Sequence, residues 1–280
     1  MIITVASGKG GTGKTTVAVN LALSLEGARL FDCDVEEPNA HTLLRLGKLE
    51  SQPVKMPTPL VDKNKCTLCG KCAEFCQFNA LFVGKDRVLV YPEMCHSCGG
   101  CSIVCPEGAI EEQPREVGTI FSGEANGLPL VFGELNIGEP IATSVIKAVK
   151  RRMQHSEINI VDAPPGTACP VIETMQESDY LLLVTEPTPF GLHDLEMAAN
   201  VVKELGIPHG VVVNRAGIGD SSAREFCEER SIPLVMEIPF DRRIAELYSI
   251  GTPFVEEMPE WKEKFQRLYA QIEEDANDGQ

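Results

Sequence analysis

The first sixteen residues constrain this chain more than any other stretch. An apolar run, Ile2 to Ala6, passes directly into SGKGGTGKTT, Ser7 to Thr16. A helical pattern follows from Thr15 to Leu25, with Val17, Ala18, Leu21, Ala22 and Leu25 on one face. Strand, glycine-rich loop and helix in that order give the context that G-x-x-x-x-G-K-[ST] needs to hold phosphate. Gly8, Gly10, Gly11 and Gly13 let backbone N–H groups turn inward, and the helix presents its positive N-terminus to the same anion. Lys14 is expected to reach the β- and γ-phosphates and Thr15 to offer its hydroxyl to Mg2+, with Thr12 and Thr16 completing the loop. Lys9 is a second lysine that the pattern does not require.

Further apolar runs recur at Ala28 to Phe31, Ile158 to Val161, Tyr180 to Val184, Gly210 to Val213 and Pro233 to Met236. Helical stretches such as Ile141 to Gln154 and Leu192 to Leu205 separate them. Continuously apolar strands alternating with helices predict an α/β fold, a mainly parallel sheet with right-handed crossovers and helices on its faces.

Between residues 61 and 113 that rhythm stops. Eight of the eleven cysteines fall here, in two runs of identical spacing, Cys66-x2-Cys69-x2-Cys72-x3-Cys76 and Cys95-x2-Cys98-x2-Cys101-x3-Cys105-Pro106. The halves form an internal repeat of about 29 residues, each closed by a small-apolar pair, Ala80-Leu81 and Ala109-Ile110. Both runs resemble the bacterial ferredoxin pattern, in which thiolates hold [4Fe-4S] clusters and each fourth cysteine serves the other cluster. The resemblance implies one cluster on Cys66, Cys69, Cys72 and Cys105, and a second on Cys95, Cys98, Cys101 and Cys76. Four-cysteine zinc sites or a disulfide scaffold are the alternatives. Gln77 replaces the proline that usually follows the fourth cysteine, so that turn is expected to be looser; His96 is read as a surface residue. The segment reads as a small domain inserted between residues 1–60 and 114–280.

GKGGTGKTT, with its early Lys9, resembles the deviant phosphate loop of the MinD, ParA and nitrogenase iron protein class of ATPases. In that class the early lysine crosses to a partner subunit's nucleotide, so the resemblance implies a homodimer formed around ATP. Asp32-Cys33-Asp34 resembles the first switch, with Asp32 near Mg2+ and Asp34 orienting the attacking water. NIVDAPPG, Asn159 to Gly166, resembles the second, with Asp162 on the Mg2+ side and Gly166 sensing the γ-phosphate. Asn214 and the Asp241 of IPFD resemble the adenine pocket. GELNIGEP, Gly133 to Pro140, is similar to a run in MinD-like ATPases carrying an inserted ferredoxin, without an evident mechanical role. Cys169 stands where the nitrogenase iron protein has a cluster ligand, but Cys33 and Cys227 lie in ordinary strand and helix patterns and offer no convincing second ligand, so Cys169 is expected to be buried and inert, with transient metal or cluster binding as the alternative.

Lys and Arg number 25 against 41 Asp and Glu, a net charge of -16 that disfavours nucleic acid and anionic lipid. Without an apolar leader the expected address is cytoplasmic. The expectation is an ATPase, using ATP, ADP and Mg2+, coupled by two [4Fe-4S] clusters to electron transfer or iron-sulfur handling with an unidentified acceptor protein. The rival is a spatial organiser like MinD or ParA with the clusters as redox sensors. Membrane binding of that kind needs a free amphipathic terminal helix. Trp261 to Ile272 aligns Trp261, Phe265, Leu268 and Ile272 but runs into EEDAND, so it is expected to dock on the core, with an acidic tail, Glu273 to Gln280, that frays.

Overall fold

The computed structural model describes residues 1–278. Its strands are β1 (Ile2–Ala6), β2 (Ala28–Asp32), β3 (Leu46–Val61), β4 (Leu81–Val83), β5 (Val88–Val90), β6 (Ile110–Ala125), β7 (Leu128–Leu135), β8 (Ile158–Asp162), β9 (Tyr180–Thr185), β10 (His209–Ala216) and β11 (Leu234–Pro239). Its α-helices are α1 (Lys14–Ser24), α2 (Lys71–Phe75), α3 (Gly100–Ile103), α4 (Thr143–Lys150), α5 (Cys169–Met175), α6 (Pro189–Leu205), α7 (Ser222–Arg230), α8 (Arg242–Ser249), α9 (Phe254–Glu257) and α10 (Pro259–Asp278). Nine strands form one sheet in the order β11-β10-β9-β1-β8-β2-β7-β6-β3, and β4 pairs with β5 apart from it.

From β11 to β7 all neighbours run parallel. Strand β9 shows why its sequence is apolar throughout. Leu182 and Val184 pack on one face with α1, α9 and α10, while Leu181 and Leu183 pack on the other with α5, α6 and α7. Covered on both faces, the strand leaves no position for water. The parallel arrangement brings the loops after β1, β2, β8, β9 and β10 to one carboxyl edge, where ligands of open α/β sheets bind.

Beyond β7 the sheet turns antiparallel. Strand β6 pairs with β7 only from Gly118 to Ala125, but with β3 it continues to the pair Ile110 and Val61. The two long strands therefore leave the sheet as a two-stranded arm carrying residues 62–109 at its end. β3, β6 and β7 lack the uninterrupted apolar signature. β3 holds Pro53, Pro57 and Pro59, which a ladder tolerates because β3 is the edge strand.

At the end of the arm, Cys72, Ala80, Leu81, Cys101 and Ile110 form a small separate core. The internal repeat is visible in the backbone. Leu68 and Ser97 have φ 56° and 55°, and Asn79 and Gly108 have φ 54° and 56°. Ala80 N–H donates to Cys76 Sγ at 3.4 Å and Ala109 N–H to Cys105 Sγ at 3.3 Å. The turn after Cys76 thus has the shape of its partner, and Gln77 does not loosen it as expected, because the backbone bond to sulfur holds the turn in both.

Trp261, Phe265, Leu268 and Ile272 are buried in the core, as expected for a docked helix. The tail departs from expectation: α10 stays helical to Asp278, held by burial of Ala276 and by the Tyr180 hydroxyl donating to Asp275 at 3.3 Å. Gly279 and Gln280 lie outside the described residues. Among the described residues no helix is long and apolar enough to cross a membrane. Truncating the fully buried Phe265 to Ala should cost about 3–5 kcal/mol in urea unfolding; a loss below about 1 kcal/mol would contradict this docking.

Candidate functional site

The loop from Ser7 to Gly13 joins β1 to α1. Gly13 has φ +92°, and a Cβ there would lie 2.2 Å from Asn214 Nδ2. Gly8 passes so close to α6 that a Cβ would come within 2.1 Å of the Asp194 carbonyl oxygen. Glycine is thus enforced by contact at Gly8, and by contact together with backbone conformation at Gly13. Gly10 and Gly11 face open space instead, as a loop must where phosphate approaches its backbone. Asn214 Nδ2 donates to the Thr12 carbonyl at 2.8 Å, tying the end of β10 to the loop.

Because β1 lies beside β8, Lys14 meets Asp162. Nζ donates to Oδ1 at 2.6 Å, and both groups are buried. Burial alone would lower the lysine pKa, but the carboxylates of Asp162, Asp32 and Asp34 outweigh it and hold the ammonium above its ordinary value. Asp162 Oδ2 and Thr12 Oγ1 are buried without partners. Asp32 already braces the following loop: Oδ1 accepts Asp34 N–H at 2.9 Å, and Oδ2 accepts the N–H groups of Asn39 and Ala40 at 3.0 Å. Burial, then the charge of Asp162, pushes the Asp32 carboxyl up to about 7. Burial pushes Asp34 up to about 6 against the pull of Lys14. Three carboxyls around one ammonium, with one carboxylate oxygen unpartnered, fit a site completed by a divalent cation and a nucleotide. Thr15 and Thr16, in the first turn of α1, are half-buried beside it.

Lys9 does not point away from its own chain. Its Nζ donates to Glu186 Oε1 at 2.7 Å, and Arg215 Nη1 donates to Oε2 of the same carboxylate at 2.9 Å. Burial would raise the Glu186 pKa, but its bond to Lys9 and the charges of Lys9 and Arg215 hold it below the usual range. Neither Glu186 nor Arg215 stands out by motif; Glu186 has only its place directly after the apolar run of β9 as a signal. Gly166, at φ +99°, donates its N–H to the Ser7 carbonyl at 3.0 Å, so the loop after β8 touches the phosphate loop. Asp241 caps α8, accepting Arg243 N–H at 2.7 Å. Cys169, expected to be buried, is exposed at the first turn of α5. The PPGTA stretch that precedes it forms a surface loop.

On the arm, Cys66, Cys69, Cys72 and Cys105 line one cavity, and Cys76, Cys95, Cys98 and Cys101 line another with Phe75, Phe78 and Leu81. All eleven cysteines are free thiols. Among the described residues, no three His, Cys, Asp or Glu side chains converge closely enough to hold a single metal ion. The thiols surround a space, and backbone N–H groups already point at Cys76, Cys95 and Cys105 sulfur. Four thiols around an apolar-walled cavity, with such donors in place, fit an iron-sulfur cluster. Burial pushes the Cys101 thiol up to about 11 and raises Cys72 as well, so metal entry must displace protons. His96 is exposed and stacks on Phe78 with ring centroids 3.7 Å apart.

The raised carboxyls carry a pH signature. A carboxyl held above its unfolded value of 3.8 contributes stability below that value and loses it as pH rises through its folded pKa. Between pH 3.8 and about 7 the nucleotide-free chain should therefore lose melting temperature relative to Asp32→Asn. A difference between the two proteins that stays flat with pH would show that Asp32 does not titrate there.

Residues 3–254 match the CobQ/CobB/MinD/ParA nucleotide binding domain. An uncharacterized protein of Methanocaldococcus jannaschii is 33% identical over 99% of this chain and 97% of its own. A Pyrococcus horikoshii protein named iron-sulfur cluster carrier protein is 26% identical over 99% of this chain and 88% of its own. The structure of septum site-determining protein MinD with Mg-ADP from Pyrococcus horikoshii aligns with a TM-score of 0.60 at 19% identity, covering 100% of this chain and 98% of that one. At such identity the likeness concerns the fold, a MinD-like α/β sheet. The family match spans most of the chain and includes the phosphate loop, and so the chain belongs to the CobQ/CobB/MinD/ParA nucleotide-binding family.

Proposed function

We propose that this protein is an ATP-hydrolysing switch, working as a homodimer around ATP, whose arm carries an inserted ferredoxin-like domain with two [4Fe-4S] clusters for electron transfer or iron-sulfur cofactor handling. The observation that carries the reading is the grouping of eight cysteines around two cavities, on an arm continuous with the sheet that bears the phosphate loop. The relatives named iron-sulfur cluster carrier proteins point the same way.

Lys14 exchanges its Asp162 partner for the β- and γ-phosphates when nucleotide arrives, which frees Asp162 for the Mg2+ side together with Thr15 and Asp32. Asp34, whose carboxyl is raised to about 6, is placed to orient water for attack on the γ-phosphate. Positioning and charge neutralisation supply most of what phosphoryl transfer needs. Gly166 feels the γ-phosphate through its backbone contact with the loop, and Asn214 borders the adenine. Asp241 is the weaker adenine contact, since its carboxylate already caps α8. Lys9 must leave Glu186 to reach a second copy's nucleotide. Phe190, Ile218 and Phe240, which follow β9, β10 and β11, are each exposed, and apolar side chains at this edge suit such a contact. The cysteine sets would hold the clusters, which supply one-electron carriage; the chain itself contributes thiolates, N–H donors and apolar walls. The organiser reading loses support because the apolar face of α10 is already buried.

Anaerobically purified protein should contain iron and sulfide sufficient for two cubanes per chain, with EPR signals on reduction. Zinc in their place, or no metal at all, would sink the cluster assignment. Lys9→Ala should abolish ATP-dependent dimerisation in light scattering while leaving the EPR signals unchanged. Dimerisation equal to wild type would refute the role of Lys9.

A further inference from the structure

Lys9 must leave Glu186 in the reading above, and the geometry fixes what it leaves behind. Glu186 follows β9 and is packed in place. Its backbone carbonyl accepts the Thr188 N–H at 2.8 Å, and a Cβ on Gly191 would come within 2.3 Å of that carbonyl oxygen. The Thr188 hydroxyl caps α6 by accepting the Gly191 N–H at 3.0 Å, and it donates to Glu186 Oε1 at 3.5 Å. Arg215, near the end of β10, is set just as firmly. It adopts φ 54°, a left-handed conformation uncommon for a long side chain, and its N–H donates to Asn214 Oδ1 at 2.9 Å. Further along the same loop, Gly219 lies so near Pro187 that a Cβ would stand 1.6 Å from its carbonyl oxygen. The loops after β9 and β10 are therefore locked to each other.

Lys9 is held differently. Its backbone is pinned, because Ser7 Oγ donates to the Lys9 carbonyl at 2.8 Å and Gly8 abuts Asp194, but Gly10 and Gly11 beyond it border open space. The lysine side chain can thus swing outward on a fixed backbone. Two cations share the Glu186 carboxylate, Lys9 on Oε1 and Arg215 on Oε2. When Lys9 departs, the Arg215 bond remains, and a guanidinium can take both oxygens of one carboxylate. That matters because the Glu186 side chain is only 14% exposed, and a carboxylate so placed is costly to strip of every cation. Asn214 joins this pair to the phosphate loop, since its Nδ2 holds the Thr12 carbonyl while its Oδ1 accepts the Arg215 N–H.

We propose that Glu186 and Arg215 are positioning residues for Lys9. Glu186 holds the lysine against its own subunit, and Arg215 keeps the carboxylate paired when the lysine swings out to the second copy's nucleotide. The strength of the dimer is then set by competition between a carboxylate in the same chain and a phosphate in the other, not by nucleotide affinity alone. This rests on the ATP-dimer reading above. Glu186 opposes dimerisation and Arg215 assists it, although both touch the same lysine-bound carboxylate.

The test is sedimentation equilibrium of the full-length protein with Mg2+ and a non-hydrolysable ATP analogue. Glu186→Gln, the same shape without the charge, should tighten the dimer about tenfold, because a partly exposed ion pair is worth a few-fold in an equilibrium and a symmetric dimer counts it twice. Arg215→Gln should act the other way and weaken the dimer, since Lys9 would then leave an unpaired carboxylate. The double variant should match Glu186→Gln alone, because Arg215 acts only through that carboxylate; two unrelated structural defects would instead add. Arg215→Gln decides the matter by itself if Glu186→Gln does not fold. A Glu186→Gln dimer no tighter than wild type, an Arg215→Gln dimer no weaker, or additive effects in the double variant would overturn the proposal while Lys9→Ala still abolished the dimer. Wild-type protein that stays monomeric with the analogue, or Lys9→Ala that dimerises like wild type, would overturn the dimer reading itself, and this proposal with it.

Discussion

The buried pair of Lys14 and Asp162 is the contact around which the sheet is arranged. An ammonium and a carboxylate 2.6 Å apart, both almost out of water, hold only if each has the other, because an unpaired buried charge is costly. Their meeting requires β1 beside β8, and the parallel order places the loops after β2 and β8 and the phosphate loop at one edge. In the function proposed above, the pair is also the element a nucleotide would disturb, with phosphate competing for the lysine and Mg2+ for the carboxylate. Burial, with the charge of Asp162 added to it, pushes Asp32 up to about 7 and Asp34 up to about 6, leaving a site better balanced with a cation than without one.

The second organising feature is mechanical. A β3–β6 ribbon grows out of the same sheet, so residues 62–109 are carried on strands rather than on a slack linker. Leu135 N–H donates to the Val35 carbonyl at 2.8 Å, directly after Asp34, and the chain then passes through Glu139 to Arg115 and Pro92. A continuous set of backbone and side-chain contacts therefore joins the loop after β2 to the Cys95 loop. Contiguity of this kind is what a nucleotide-responsive arm would need, although coupling itself is a property of two states rather than of one path.

Much of the fold was legible because local chemistry left little choice. A glycine-rich loop between an apolar strand and a helix announces its own geometry, and strands covered on both faces must be apolar at every position. The cysteine spacing announced itself in the same way, and the repeated φ values at Leu68 and Ser97 show the duplication written into the backbone. Strands β3 and β6 were not legible: β3 is the edge strand and the first half of β6 pairs with β3 alone on the projecting arm, and such positions let prolines and charges occupy a strand, which erases the signal that marks central ones. The exposure of Cys169 and the full length of α10 were hidden for a related reason. Both depend on what lies across the fold rather than on neighbouring residues.

The sequence by itself determined the phosphate loop, the parallel rhythm, the two cysteine runs and the carboxylates at the ends of β2 and β8, since each follows from spacing over a few residues. Only the tertiary structure decided which carboxylate Lys14 meets, that Lys9 rests on Glu186, and that Arg115 reaches from the arm to Glu139 and Pro92. Those partners lie 148, 177, 24 and 23 residues away along the chain. No local pattern specifies them, because a charge buried by long-range packing pairs with whatever opposite group the strand order brings within reach.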